Sequence, residues 1–184
     1  KQQNAFGNTF FNLKFSFMKN LILIRHGKSS WDLPVQDHDR PLTTRGMLDA
    51  HLTSDEFKKF LPKRFILWTS TARRTFDTAL IFAQNYLIPE ELLLTDKNLY
   101  TFDCKSLTHV IKKINNAHES LILFGHNNAI TDFVNKFGDT YIEKVPTSGI
   151  VVLKFDQDNW KDIQNGKVIK TIFPKDLKND TKTS

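Results

Sequence analysis

With 184 residues, a formal charge of +6 and 40% hydrophobic residues including 16 phenylalanines, the chain is long enough for one domain with a substantial core. It is too short for two ordinary domains and too apolar for a disordered chain. Its single cysteine, Cys104, excludes an intrachain disulfide and a cysteine-built zinc site, and fits a reducing, cytoplasmic setting. No run approaches the roughly 18 consecutive apolar residues of a membrane span. Paired lysines such as Lys58-Lys59 and Lys112-Lys113 form no aromatic-interleaved stripe of the kind that tracks nucleic acid. The excess charge implies only a mild preference for anions.

The first stretch, residues 1–17, holds Lys1 and Lys14 but is interrupted by Asn8 and Asn12, so it does not read as a secretion signal. Met18 is the expected start of the domain, with 1–17 a poorly ordered upstream extension, 18–174 the domain and 175–184 a loose tail. Leu21 to Ile24 is an unbroken apolar run, the mark of a strand covered on two faces. Thr43 or Thr44 then offers a helix N-cap, with Leu48, Leu52, Phe57, Phe60 and Leu61 on the expected buried face and Pro62 as the stop. A second strand is expected over Phe65–Trp68, followed by a helix with Thr78, Ala79, Phe82 and Tyr86 on one stripe that ends before Pro89. Leu92–Leu94 reads as an edge strand, and Leu107, Val110, Ile111 and Ile114 as one helical face. Leu121–Phe124 is another buried strand, with a helix over 128–137. "GIVVLKF" and "KVIKTIF" read as two antiparallel strands. Strands alternating with helices predict an α/β domain with a largely parallel sheet and helices on both faces. In such a domain ligands bind outside the carboxyl ends of the strands.

Two of the buried runs end alike. "LILI" gives way to Arg25-His26-Gly27 and "LILF" to Gly125-His126-Asn127, so a parallel sheet would set both histidines on one edge. Here the sequence resembles a known family. "RHG" is similar to the signature of the histidine phosphatase (phosphoglycerate mutase-like) superfamily, whose members transfer phosphoryl groups through a phosphohistidine. "DRPLTTRG" at 39–46 resembles the matching segment of SixA-type phosphohistidine phosphatases, and "TSTARRTFDTA" their S-P-x-x-R-A-x-Q-T stretch. "ILFGHNNAI" resembles their second histidine motif and "VPTSGIVVLKFD" their late hairpin. The resemblance runs from about Met18 to Pro174 and implies a three-layer sandwich of phosphoglycerate mutase-like fold.

Carried over residue by residue, the resemblance implies His26 as nucleophile, with Arg25, Arg74 and His126 completing a phosphate pocket. The chemistry suits these residues. Planar guanidinium groups present paired donors to phosphate oxygens as lysine cannot, and at about 4 Å and an effective dielectric near 20 each charge pair is worth about 4 kcal/mol before desolvation. His26 must be neutral to attack phosphorus, so activity is expected to fall below about pH 6 as the imidazole protonates. His126 is expected to hold a proton once the dianion binds.

Some positions depart from the pattern. Many relatives carry an acid in an L-x-E context after the second arginine, whereas this chain has "KNLYTFDC", with Thr101 at that place and Asp103 reading as the cap of the next helix. An alkoxide leaves badly without a proton, but the imidazole of phosphohistidine is readily protonated near neutral pH, so the gap favours a phosphoramidate over a monoester. The candidate substrate-binding residues are Ser29, which could donate to phosphate, Lys28, which also reads as solvent-facing, and Arg40, which could stretch to the pocket although "DRP" suits an ion pair better; Asp32 would repel an anion. His38, His51, His109 and His118 show no metal-ligand spacing and read as surface groups. No metal or other cofactor is implied. The expected function is a cytoplasmic, metal-independent phosphatase acting on a phosphorylated substrate, foremost a histidine-phosphorylated protein, with no nucleic-acid or membrane partner and no indication of oligomeric state. The alternatives are a small-molecule phosphatase or mutase of the same superfamily, and a non-catalytic phosphate- or phosphoprotein-binding module.

Overall fold

The computed structural model of the protein describes residues 18–180; the extension expected at 1–17 lies outside them. The strands are β1 (Lys19–Arg25), β2 (Ile66–Ser70), β3 (Leu93–Asp96), β4 (Ser120–Gly125), β5 (Ile150–Phe155) and β6 (Lys167–Ile172). They form one sheet in the order β3-β2-β4-β1-β5-β6. β1 pairs in parallel with β4, β4 with β2, and β2 with β3. β5 is antiparallel to β1 and to β6, so among the described strands it alone runs the other way.

The helices are α1 (Thr44–Phe57), α2 (Arg73–Asn85), α3 (Cys104–Ile111), α4 (Ala129–Phe137) and α5 (Pro174–Asp180). Alternation along the strands divides the core between two faces of the sheet. Leu21 and Leu23 of β1 and Leu121 and Leu123 of β4 join Leu107 and Ile111 of α3 and Phe133 of α4. Ile22, Ile24, Ile122 and Phe124 join Ala50 and Phe57 of α1 and Ala79 and Phe82 of α2. The result is the three-layer α/β sandwich, with neither face of the central strands open to water. That is why "LILI" and "LILF" are unbroken apolar runs.

α1 differs from its expected orientation. Thr43 does cap it, accepting from the Gly46 amide at 3.0 Å, but the buried face is Gly46, Asp49, Ala50, Thr53, Ser54 and Phe57, and Leu48 is 64% exposed. Small side chains win because the first turn of α1 lies against the chain leaving β1. A Cβ on Gly46 would fall 2.1 Å from the carbonyl oxygen of Lys28, and one on Gly27 would fall 2.9 Å from that of Gly46. The tail expected to be loose from 175 is helical as far as Asp180. Pro174 opens α5 with a preset φ, Leu177 packs against the core beneath α1 and α2, and Lys178 Nζ donates to the buried Asp49 carboxylate.

Candidate active site

The four parallel strands β1 to β4 deliver their carboxyl ends to one edge, and β5 starts there. β1 and β4 pair with Arg25 opposite Gly125, and the His26 amide donates to the Gly125 carbonyl at 3.1 Å. The next residue of each strand is therefore a histidine beside a histidine, with ring centroids 5.2 Å apart. β2 ends at Ser70, and the first turn of α2 then carries Arg74, 2% exposed, into the space between them. The structure thus brings Arg25, His26, Arg74 and His126 together at the strand edge.

Hydrogen bonds assign the protons. His26 Nδ1 lies 2.7 Å from the Gly27 carbonyl, which can only accept, so Nδ1 carries the hydrogen and Nε2 keeps a lone pair. Arg74 Nε donates to that Nε2 at 3.3 Å. At His126, Arg74 Nη2 faces Nδ1 at 3.5 Å, while Nε2 faces Ser70 Oγ at 2.9 Å and Thr75 Oγ1 at 3.3 Å. Arginine can only donate, so here Nδ1 accepts and Nε2 holds the hydrogen. Thr78, expected as part of an apolar stripe, uses its hydroxyl to accept from the Gly27 amide at 2.9 Å and to donate to the Arg74 carbonyl at 2.6 Å.

The electrostatics favour neutral rings. Burial, reinforced by Arg74, Arg25 and Arg40 against the opposing Gly27 hydrogen bond, brings His26 down to about 3. Burial, then the neighbouring His26 and Arg74, takes His126 down to about 2. An acid limb near pH 6 from His26 is therefore not expected of the ligand-free protein. Arg25, its own guanidinium lowered by desolvation, donates from Nη1 to the Val145 carbonyl at 2.9 Å. Among the described residues its buried Nε has no hydrogen-bond partner, nor do Asn127 Oδ1 and Ser148 Oγ. Buried polar atoms are rarely left so, and these three belong to residues next to one of the two histidines in the chain or, for Ser148, bonded through its amide to the Arg25 and His26 carbonyls.

The residue that sequence reasoning missed is Asp37. Its carboxylate accepts from Arg74 Nη2 at 2.9 Å, from Arg40 Nη1 at 2.8 Å and from the Tyr100 hydroxyl at 2.7 Å, and its carbonyl accepts from Arg74 Nη1. Burial pushes this carboxyl up, but the bonds from Tyr100, Arg40 and Arg74 outweigh it and hold it well below the usual carboxylate range. The only available signal was the alternation of acid and base in "DHDR", which does not say which acid turns inward. Tyr100 and Phe102, from the segment after β3, set their rings 5.3 Å and 5.1 Å from that of His126; they too were unmarked.

The remaining candidates lie outside this cluster. Arg40 is buried but spends its donors on Asp37, the Ser30 carbonyl and Ser29 Oγ, and its guanidinium stacks on Trp31 at 3.2 Å. Ser29 Oγ is accordingly engaged, and the Lys28 side chain is exposed. Thr101 bonds the Asp103 carboxylate at 3.1 Å, and Asp103 caps α3. His38 is not a plain surface group: Nε2 is 3.1 Å from Thr71 Oγ1 and its ring meets Tyr100 edge-on at 5.2 Å. Among the described residues no cluster of three or more His, Cys, Asp or Glu side chains is placed to hold a metal ion, and no helix is long and apolar enough to cross a membrane.

Residues 21–97, which run from β1 through Arg74 to just past β3, match the family model of the histidine phosphatase superfamily (branch 1). An uncharacterized chloroplastic protein of Arabidopsis thaliana is 28% identical over 160 residues, covering 80% of this chain and 71% of its own. An uncharacterized protein of Mycobacterium tuberculosis is 28% identical over 153 residues, covering 78% and 93%. Among solved structures, the protein histidine phosphatase SixA complexed with tungstate superposes with a TM-score of 0.72 at 19% identity, over 86% of this chain and 99% of that one. A mycobacterial glucosyl-3-phosphoglycerate phosphatase complexed with VO3 gives a TM-score of 0.53 at 12% identity, over 73% and 92%. At such identities the superpositions speak for a shared phosphoglycerate mutase-like fold alone. Together with the sequence match across the half of the site that β1 and α2 supply, they make the chain similar in sequence and fold to the histidine phosphatase superfamily.

Proposed function

We propose that the protein is a phosphatase working through a phosphohistidine on His26, and that its substrate is protein phosphohistidine. The observation that carries the reading is the His26 tautomer: Nδ1 is tied to the Gly27 carbonyl, and Nε2 keeps its lone pair, which accepts from the buried Arg74 guanidinium at 3.3 Å. A neutral imidazole beside fixed cations is what in-line attack on an anionic phosphoryl group requires. Nε2 forms the bond to phosphorus while the bond from phosphorus to the substrate nitrogen breaks, its electron pair staying with the departing imidazole, which takes a proton. Water then attacks phosphorus, the bond to Nε2 breaks, and orthophosphate leaves. Arg74 and Arg25 neutralise charge on the equatorial oxygens, and His126 Nδ1, already turned toward Arg74, takes a proton and donates when the dianion arrives.

Support for a phosphoramidate comes from the leaving-group side. Thr101 stands where an acid would be expected, and Asp37 is held ionised by its three donors, so neither delivers a proton to an alkoxide. Imidazole needs no such help near neutral pH. Purified protein and His26→Ala, assayed on a histidine-phosphorylated protein and a panel of phosphate monoesters, test this. The expected result is turnover of the phosphohistidine substrate at least 10-fold above any monoester, and a loss of at least about 1,000-fold in kcat with the substitution. Equal turnover by the variant removes His26 as nucleophile, and preference for a monoester transfers the reading to small-molecule phosphates.

A further inference from the structure

A cleft of about 710 Å³ opens beside the site, sharing Tyr100 with its rim. Its floor is the half-buried Trp68 of β2, and its wall is the outer face of α3 with Lys105, His109 and, just past the helix end, Lys113; Lys97 adds a third ammonium and Asp96 the one carboxylate. None of these three lysines has an ion pair among the described residues. Helix-dipole stabilisation accounts for a cation at Lys113, near the carboxyl end, but not for Lys105, the second residue of α3, where a positive charge is disfavoured. The cation at Lys105 weakens its own helix and so calls for another reason.

We infer that this cleft docks the acidic flank of the polypeptide that carries the phosphohistidine, with Lys105, His109 and Lys113 facing carboxylates one helical turn apart. This inference rests on the phosphohistidine reading above and adds what selects the substrate. Lys105 and His109 stand about 6 Å apart along α3 and Lys113 continues the row past the helix end, which, added to the phosphoryl site, exceeds the reach of a small metabolite. The mouth of the site also presents aromatic surface: Phe102 is 48% exposed beside His126, and Trp31 is 75% exposed on top of Arg40. Exposed aromatics and arginine around a pocket are the usual anchors of a protein partner. Charge complementarity settles the sign of that partner, three lysines against one aspartate.

The test uses two phosphohistidine peptides that differ only in carrying glutamates or lysines one and two helical turns from the phosphorylated residue, with free phosphohistidine as a third substrate. Wild type should show kcat/KM about 10-fold higher for the glutamate peptide, an advantage that shrinks with added salt. Lys105→Glu/Lys113→Glu should reverse the preference and leave free phosphohistidine turnover unchanged, which also shows that the variant is folded. Equal kcat/KM for the two peptides with wild type overturns the docking inference while leaving the phosphatase reading intact. So does a variant that loses free phosphohistidine activity in step with the glutamate peptide, because the lysines would then serve the fold or the phosphoryl site. Failure of wild type to cleave free phosphohistidine and both peptides defeats the underlying reading and the inference with it.

Discussion

A histidine pair flanked by arginines keeps its chemistry only if the rings stay uncharged until an anion arrives. The structure supplies this through burial first, reinforced at His26 by guanidinium repulsion and at His126 by the neighbouring His26 and then Arg74. Nitrogen NMR of the imidazoles should therefore show neutral rings at pH 5, with the hydrogen on Nδ1 of His26 and on Nε2 of His126; a cationic ring at that pH would contradict the hydrogen-bond assignment. Asp37 raises a second question at this scale, because a carboxylate bonded to Arg74 occupies donors that a phosphate dianion also needs. Asp37→Asn keeps the shape and removes one negative charge a few ångströms from the anion, a distance at which repulsion is substantial even at an effective dielectric near 20. Inhibition by orthophosphate should strengthen by about 3- to 10-fold in the variant. A weaker inhibition would mean that Asp37 matters more for orienting the guanidinium than it costs in repulsion. The clustering of the four residues carried over by resemblance was legible because each ends or follows a strand or opens a helix whose apolar pattern is plain. Asp37 and Tyr100 were not, since each sits in a short polar connection where nothing in the residue order says which side chain turns inward.

At the scale of elements, β1 and β4 were legible because two-sided burial leaves an unbroken apolar run, whereas α1 was misjudged. Its pattern of leucines suggested one face, but the contact with the β1 exit admits only small residues, and Leu48 was left outside. That contact ties two sequence motifs into one physical object. The glycine of "RHG" and the glycine of "TTRG" approach so closely that a side chain on Gly46 would overlap the Lys28 carbonyl, and the Thr43 amide donates to that same carbonyl at 2.8 Å. The pairing fixes how the chain leaves β1 and hence where His26 points. Gly46→Ala should cost about 2–3 kcal/mol through forced backbone displacement, lowering Tm by roughly 5–10 °C for a domain of this size. It should also reduce kcat, because the displaced strand exit carries His26, the proposed nucleophile. An alanine variant with unchanged Tm and kcat would show that the contact relaxes without consequence. Gly27→Ala probes the other side of the same contact and should behave alike.

For the whole molecule, the uncharged histidines couple the site to stability. A group whose pKa is lower folded than unfolded binds more protons in the unfolded chain between the two values, so stability falls as pH drops through that window. For His26 and His126 the window runs from the unfolded value of about 6.5 down to about 3 and about 2. Asp37 is also held lower in the folded protein but has a separate window: its contribution is present above the unfolded carboxylate value of about 4 and is lost only below it. Between pH 7.5 and 5 the histidines therefore act without interference from that carboxylate. Each costs up to about 1.4 kcal/mol per pH unit below 6.5, so the pair removes at most roughly 4 kcal/mol at pH 5. Thermal unfolding of wild type and of His26→Asn/His126→Asn at the two pH values isolates this term, because every other titrating group is common to both proteins. Wild type should lose roughly 5–15 °C more than the double variant on going from pH 7.5 to 5. Parallel losses would show that the two rings take up protons in the folded protein about as easily as in the unfolded chain. In that case the neutral Nε2 of His26 would no longer be a consequence of the fold, and an acid limb of activity near pH 6 would return with it.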